Sequence, residues 1–338
     1  MNKLLYPLSF AYGLLSKIDR KFKHSEKLGK PVISVGNITW GGTGKTPLVI
    51  ELLNFLADKK YNPAVLTRGY GRADETPVLL KDGACGIKSN TAGDEPLLIA
   101  KSVPAAKVIV GAQRYKNALK FEKEAGADVF ILDDGFQHWK IARDLDIVCI
   151  NAANPFGNGM LIPSGILREK PPALKRAGMI VITNADMVTP QALDNLKETV
   201  FAISSKEAVV TSYGNYGYKQ IDLQKDFDIN KFGTSGVYSL SAVGFAGGFK
   251  NSIEKSGVKV KGSFVLKDHY RFDRKKILDF IEKSEGLNLV VTAKDAVKIE
   301  SFADEKIKEK VAVLTVTPVF QSGKEKWEKE ILSALRSS

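Results

Sequence analysis

The stretch Gly36-Asn37-Ile38-Thr39-Trp40-Gly41-Gly42-Thr43-Gly44-Lys45-Thr46 constrains this chain more than any other. It follows an apolar run at 31–35 (PVISV). It precedes a segment, 46–59, in which Leu48, Val49, Leu52, Leu53 and Leu56 recur at helical spacing. A glycine-rich turn between a buried strand and a helix lets backbone N–H groups close around phosphate oxygens without Cβ clashes. The helix start adds partial positive charge. In such a loop Gly41, Gly42, Thr43 and Gly44 form the cradle, Lys45 neutralises the terminal phosphates and the Thr46 hydroxyl ligates Mg²⁺. Pro47 is tolerated in a first helical turn. Thr39 occupies the position where the strict pattern has its first glycine, and Gly36 lies three residues further back.

A second motif is Val129-Phe130-Ile131-Leu132-Asp133-Asp134-Gly135-Phe136-Gln137-His138. Four apolar residues running into carboxylates put Asp133 and Asp134 at the end of a buried strand, where an acid can hold the magnesium ion or its water. Adjacent residues point to opposite sides, so one faces the metal and the other the loop network. Further strands are expected at 63–67, 107–110, 128–132, 145–150 and 178–183, alternating with helices. This is the signature of an α/β fold: a P-loop NTPase-like, mostly parallel sheet with helices on both faces. After about residue 205 the pattern changes. Charged residues at 219–232 read as a connection, followed by strands at 236–241, 263–266, 289–292 and 312–316 and helices at 273–284 and 324–335. The expected organisation is an N-terminal segment 1–27, a P-loop domain 28–230 and a smaller α/β domain 231–338.

Charge narrows the partners. Fifty Lys and Arg against 38 Asp and Glu give +12, which favours polyanions: nucleic acid, anionic lipid or a phosphorylated substrate. No aromatic-interleaved basic patch or nucleic-acid module accompanies that charge, so nucleic acid ranks last. Residues 4–15 (LLYPLSFAYGLL) are followed by Lys17, Arg20, Lys21, Lys23, Lys27 and Lys30. Interrupted by Pro7 and Gly13, the apolar block falls short of the roughly 20 residues of a spanning helix. It suits a segment lying in the membrane interface with basic residues at the headgroups. Two cysteines, Cys85 and Cys149, and three histidines favour a reduced interior and no histidine-rich metal site.

The pieces GNITWGGTGKTP, RGYGR (68–72), GDEP (93–96), LDDGFQH (132–138), PSGILRE (163–169) and TAKDAVK (292–298) occur in this order, with Asp268-His269-Tyr270 between the last two. The series resembles the tetraacyldisaccharide 4'-kinase family of lipid A synthesis, over about residues 4–299. The resemblance implies transfer of the ATP γ-phosphate, with Mg²⁺, to the 4'-hydroxyl of tetraacyldisaccharide 1-phosphate, giving lipid IVA. It implies that Lys45 contacts phosphate, Thr46 and Asp133 or Asp134 serve the metal, and Arg114 and Arg168 face the phosphates. Asp94 matches the carboxylate that activates the sugar hydroxyl, and His269 its paired histidine. Read from sequence alone, Asp94 is also placed to cap a helix. With Asp94 in the first domain and His269 in the second, closure of two lobes is expected to complete the site. Arg68 and Arg72 are further candidates for positive charge over the phosphates.

The chain departs from the family pattern at 243–249, VGFAGGF in place of a glycine-proline turn. The approach Leu266-Lys267-Asp268 likewise lacks the usual proline. An acylated substrate stays in the bilayer, so the enzyme is expected at the cytoplasmic face of the inner membrane, peripheral or monotopic, with no obligate protein partner. The alternative is a membrane-associated P-loop switch ATPase of the partition or cell-division type. Those carry a lysine just before the double glycine, where this chain has Trp40. A GTPase is a third reading, since Thr183-Asn184-Ala185-Asp186 resembles a guanine-reading motif without its lysine.

Overall fold

In the computed structural model, which describes residues 5–22, 24–242, 246–267 and 270–336, twelve strands follow in chain order. They are β1 (Val32–Asn37), β2 (Pro63–Thr67), β3 (Val78–Leu80), β4 (Lys107–Val110), β5 (Val129–Asp133), β6 (Leu145–Asn151), β7 (Met179–Thr183), β8 (Val209–Lys219), β9 (Val237–Ser241), β10 (Val260–Val265), β11 (Leu289–Thr292) and β12 (Val311–Ser322). Every strand expected from the apolar runs is present.

The chain divides into two compact units, each discontinuous in sequence: residues 1–68, 113–212 and 318–338 in one, 69–112 and 213–317 in the other. This differs from contiguous spans at 28–230 and 231–338. The physical reason is visible in two long strands: β8 and β12 each begin in one unit and end in the other. The segment 69–112 also belongs with the later half of the chain.

In the first unit the order β7-β6-β1-β5-β2 is parallel throughout, and β8 joins β7 through Val181 opposite Val209. All six residues of β1 and all five of β2, β5 and β7 are buried. Continuous burial of this kind is what a parallel sheet covered on both faces requires. Helix Lys45–Asp58 buries the expected stripe of Leu48, Val49, Leu52, Leu53 and Leu56. A further core forms where Phe136 and Ile38 pack with Val148, Ile150, Leu167 and Ile180.

In the second unit β10-β9-β11-β12 is again parallel, while β3 and β4 pair antiparallel. The stretch 219–232 is more than a connection. Phe227 and Phe232 stack at 5.4 Å, and both are buried with Tyr218, Val237, Ile253 and Val290.

The N-terminal block forms the helix Tyr6–Phe22, with its polar Ser9 turned inward. The Ser9 hydroxyl donates to the Leu161 carbonyl at 3.0 Å, lies 2.8 Å from Ser164 Oγ and accepts from the Ser164 N–H at 3.0 Å. Leu8, Phe10, Leu14 and Leu15 face outward. The backbone at Lys17, Arg20 and Lys21 is helical, but those side chains and Lys23 lie outside what is described. Among the described residues no helix is long and apolar enough to cross a membrane.

Candidate active site

The phosphate loop is built from the end of β1. Gly44 sits in the left-handed region (φ 73°) immediately before the helix, and Gly41 has φ 111°. A Cβ at Gly41 or Gly42 would meet no protein atom within 4 Å, so packing leaves this side of the loop open for a ligand. Gly36 has a different reason. A Cβ there would come within 2.6 Å of the Phe136 Cβ, so it allows close approach between the two motifs and is no part of the cradle. Thr39, in the missing glycine's place, is buried and bridges Leu167.

Polar side chains from several strand ends and loops brace the phosphate loop. The Asn37 amide donates to Thr43 Oγ1 at 2.8 Å, the Thr183 hydroxyl to the Thr43 carbonyl at 3.0 Å, and the Asn151 amide to the Gly42 carbonyl at 3.0 Å. Gln137 donates to the Asn37 carbonyl and to Glu169, each at 2.9 Å. Thr183, which opens the weak guanine-type motif, thus supports the phosphate loop. Asn37, Gln137 and Thr183 stand in stretches already singled out, whereas Asn151 carries no sequence signal beyond a polar residue at the end of a buried strand.

Three cations gather at the end of β5. Lys45 Nζ is 3.4 Å from Asp134 Oδ1, Arg168 donates to Asp134 Oδ2 at 2.7 Å, and Arg114 donates to the Asp134 carbonyl at 3.2 Å. Burial pushes the Asp134 carboxyl upward, but Lys45, Arg168 and Arg114 outweigh it and hold it at about 2. Arg114 is buried, which disfavours its charge, while Asp133 and Asp134 oppose that effect; a guanidinium stays protonated regardless. Asp133 accepts from the Thr67 hydroxyl at 2.9 Å. The two aspartates therefore diverge as expected, Asp133 toward the sheet and Asp134 toward the cations.

The residues fit a magnesium nucleotide. Asp134 Oδ1 is buried and accepts no hydrogen bond, and the cations exceed the carboxylates around it. No group of three or more His, Cys, Asp or Glu could cage a metal among the described residues. Two carboxylates and Thr46 instead match a magnesium ion that keeps several waters and shares phosphate oxygens.

Asp94 belongs to the second unit, so it does not lie in the same unit as the phosphate loop, as its place in sequence had suggested. It opens the helix Asp94–Ser102, but the cap position is Gly93 (φ 89°) and no side-chain cap bond forms; Asp94 does not act as a cap. Its carboxylate lies 3.8 Å from Lys298 Nζ. His269 and Asp268, and residues 243–245 of the divergent turn, lie outside the described residues. The expected closure of two lobes that joins Asp94 to His269 therefore lies outside the described residues. Arg72 donates to the carbonyls of Glu75 and Thr76 and braces its own loop.

Beside the phosphate loop, Tyr12, Trp40, Ile162, Pro163, Gly165 and Ile166 line an apolar groove of about 480 Å³. Arg168 lies over the Trp40 ring at 5.8 Å, joining groove and cation cluster through one side chain.

A parallel sheet, a glycine cradle and cations converging on Asp134 define a P-loop nucleotide-binding protein. Comparison with known proteins makes this specific. The family model described as LpxK, tetraacyldisaccharide-1-P 4'-kinase, matches residues 1–336, and the chain belongs to that family. A tetraacyldisaccharide 4'-kinase of Syntrophus aciditrophicus is 36% identical over 294 residues, 83% of this chain and 78% of that protein. One from Anaeromyxobacter sp. (strain Fw109-5) is 34% identical over 307 residues, covering 88% and 83%. The crystal structure of LpxK from Aquifex aeolicus in complex with ATP superposes with a TM-score of 0.76 at 28% identity, covering 98% of both chains. The family resemblance and the P-loop α/β fold are thus borne out, and the switch-ATPase alternative is not favoured.

Proposed function

We propose that this chain transfers the γ-phosphate of Mg-ATP to the 4'-hydroxyl of tetraacyldisaccharide 1-phosphate in lipid A biosynthesis. The observation that carries the reading is the arrangement of Lys45, Arg114 and Arg168 around Asp134 beside the open glycine loop, in a chain of this family. Phosphoryl transfer asks for positioning and charge neutralisation more than covalent chemistry. Gly41, Gly42, Thr43 and Gly44 present backbone N–H groups to the phosphates. Lys45 and Arg168 take the charge that builds on the transferring group, and Arg114 holds the end of β5 in place. Thr46, with Asp133 or Asp134, would hold magnesium, which when bound would offset the charge of the phosphates. Asp94 accepts the proton of the sugar hydroxyl as the new P–O bond forms, with His269 as its partner.

The enzyme works at the membrane surface, on the cytoplasmic face of the inner membrane. Support comes from the helix Tyr6–Phe22, which turns Ser9 inward and leaves Leu8, Phe10, Leu14 and Leu15 outward. An interfacial helix is arranged in this way. The groove of Tyr12, Trp40 and Ile166 continues that apolar surface and suits an acyl chain of the substrate. Incubating the protein with ATP and the acylated disaccharide 1-phosphate, with Asp94→Ala and Lys45→Ala alongside, tests the assignment. Phosphorylated lipid with wild type and little with either variant is expected. ATP hydrolysis without lipid product would overturn it.

A further inference from the structure

The motif TAKDAVK (292–298) lies in the second unit, and its side chains are organised around a carboxylate. Thr292 caps the helix Ala293–Ile299, accepting from the Asp295 N–H at 3.1 Å. Asp295 is fully buried, and three donors hold it: the Thr292 hydroxyl at 2.8 Å, the Ala242 N–H at 2.9 Å and Lys298 Nζ at 3.1 Å. Lys298, itself only 10% exposed, places the same ammonium 3.8 Å from the carboxylate of Asp94. The ring of Phe272 lies 5.8 Å from that ammonium. Neighbouring charges on the two helices pair elsewhere: Lys294 with Glu95 at 3.4 Å and Lys101 with Glu300 at 2.8 Å.

A lysine is normally a mobile point charge on a flexible stem. Here the buried Asp295 fixes the ammonium independently of Asp94, so the cation is already in place when Asp94 must act. Electrostatic groups that need no reorganisation during reaction are the effective ones. We propose that Lys298, anchored by Asp295, is a positioning residue for phosphoryl transfer that holds the Asp94 carboxylate ionised and oriented to take the hydroxyl proton. The inference rests on the reading of Asp94 as the proton acceptor. A lysine serving only to tie two helices together would leave the chemistry of Asp94 unchanged, and that difference can be measured.

The test is steady-state kinetics of the full chain with Mg-ATP and the acylated disaccharide 1-phosphate, across pH, for wild type, Lys298→Met, Lys298→Arg, Asp94→Asn and Lys298→Met/Asp94→Asn. Lys298→Met should lower kcat by roughly 10- to 100-fold while KM for ATP stays within about twofold. A base works only when deprotonated, and loss of a neighbouring cation raises its proton affinity. The acidic limb of kcat/KM should therefore move up by about one pH unit. Lys298→Arg should restore most of the rate, and Lys298→Met should cost nothing further on the Asp94→Asn background. An unmoved pH profile, a KM for ATP that rises in step with the loss of rate, or additive losses in the double variant would overturn the proposal. Near-wild-type activity of Asp94→Asn would overturn the reading of Asp94 itself. A silent Lys298→Met beside an inactive Asp94→Asn would remove the lysine alone. If Lys298→Met loses its helical circular dichroism, Lys298→Gln, which keeps a donor for Asp295 but no charge, carries the same test.

Discussion

Replacing Phe10 and Leu14 with serine on the helix Tyr6–Phe22 should detach the protein from membranes without unfolding it. Phe10 is 77% exposed and Leu14 52%, so neither contributes much to the protein's own core. Full burial of such side chains is worth about 1.5–3 kcal/mol each. Scaled by the area still open to lipid, Phe10 offers about 2 kcal/mol and Leu14 about 1. Losing both should cost about 3 kcal/mol, or roughly a 100-fold fall in partition coefficient. Cosedimentation with anionic lipid vesicles measures this directly. High salt should separate the apolar contribution, which persists, from that of the basic residues, which is screened. Substitutions at exposed positions should leave stability within about 0.5 kcal/mol, and urea unfolding checks that. Partitioning within about threefold of wild type, against the roughly 100-fold expected, would refute the reasoning and leave the exposed apolar face unexplained.

Other outcomes follow from the site. Asp134, held at about 2 against an ordinary 3.8, contributes stability that is fully present above pH 3.8 and is lost as pH falls toward 2. With about a third of its side chain exposed, that contribution is on the order of 1 kcal/mol. Urea unfolding of nucleotide-free protein should show Asp134→Asn less stable than wild type near neutrality, with the gap closing below pH 4; a pH-independent gap would contradict the pairing. Lys45→Met should reduce kcat at saturating ATP by at least about 100-fold, and an unchanged kcat would remove Lys45 from the phosphates. Cys149 is buried, which raises its thiol to about 12, while Cys85 is exposed. An alkylating reagent should therefore modify Cys85 in native protein and both thiols in urea; equal native rates would contradict the burial of β6.

What could be read from the sequence was local. The strand, glycine loop and helix around Lys45 follow from apolar period and glycine placement, and the structure returns them within a residue or two. Strand β8 was hidden because Gly214, Asn215 and Gly217 resemble turn residues, and Asn215 does have a positive φ. Its role depends on neighbours in the sheet that no local pattern reveals. The discontinuous units were illegible for the same reason: two of the crossings fall inside the continuous strands β8 and β12, where no linker composition marks a boundary. At the site, Lys45, Asp133 and Asp134 stand in motifs, so their type and spacing announce them. Arg168 and Asn37 stand in motifs too, but their partners, like those of Asn151 and Thr183, are set only by folding, and Lys298 meets Asp94 from 204 positions away in sequence.

The central claim is that the glycine cradle delivers a terminal phosphate to the sugar oxygen of a lipid. The most direct measurement supplies ATP labelled on its γ-phosphate, Mg²⁺ and tetraacyldisaccharide 1-phosphate in mixed micelles, and follows label into the lipid. Label on the 4'-oxygen, dependent on Mg²⁺ and lost in Lys45→Met, is the predicted result. Label released as inorganic phosphate while the disaccharide stays unmodified would contradict the account.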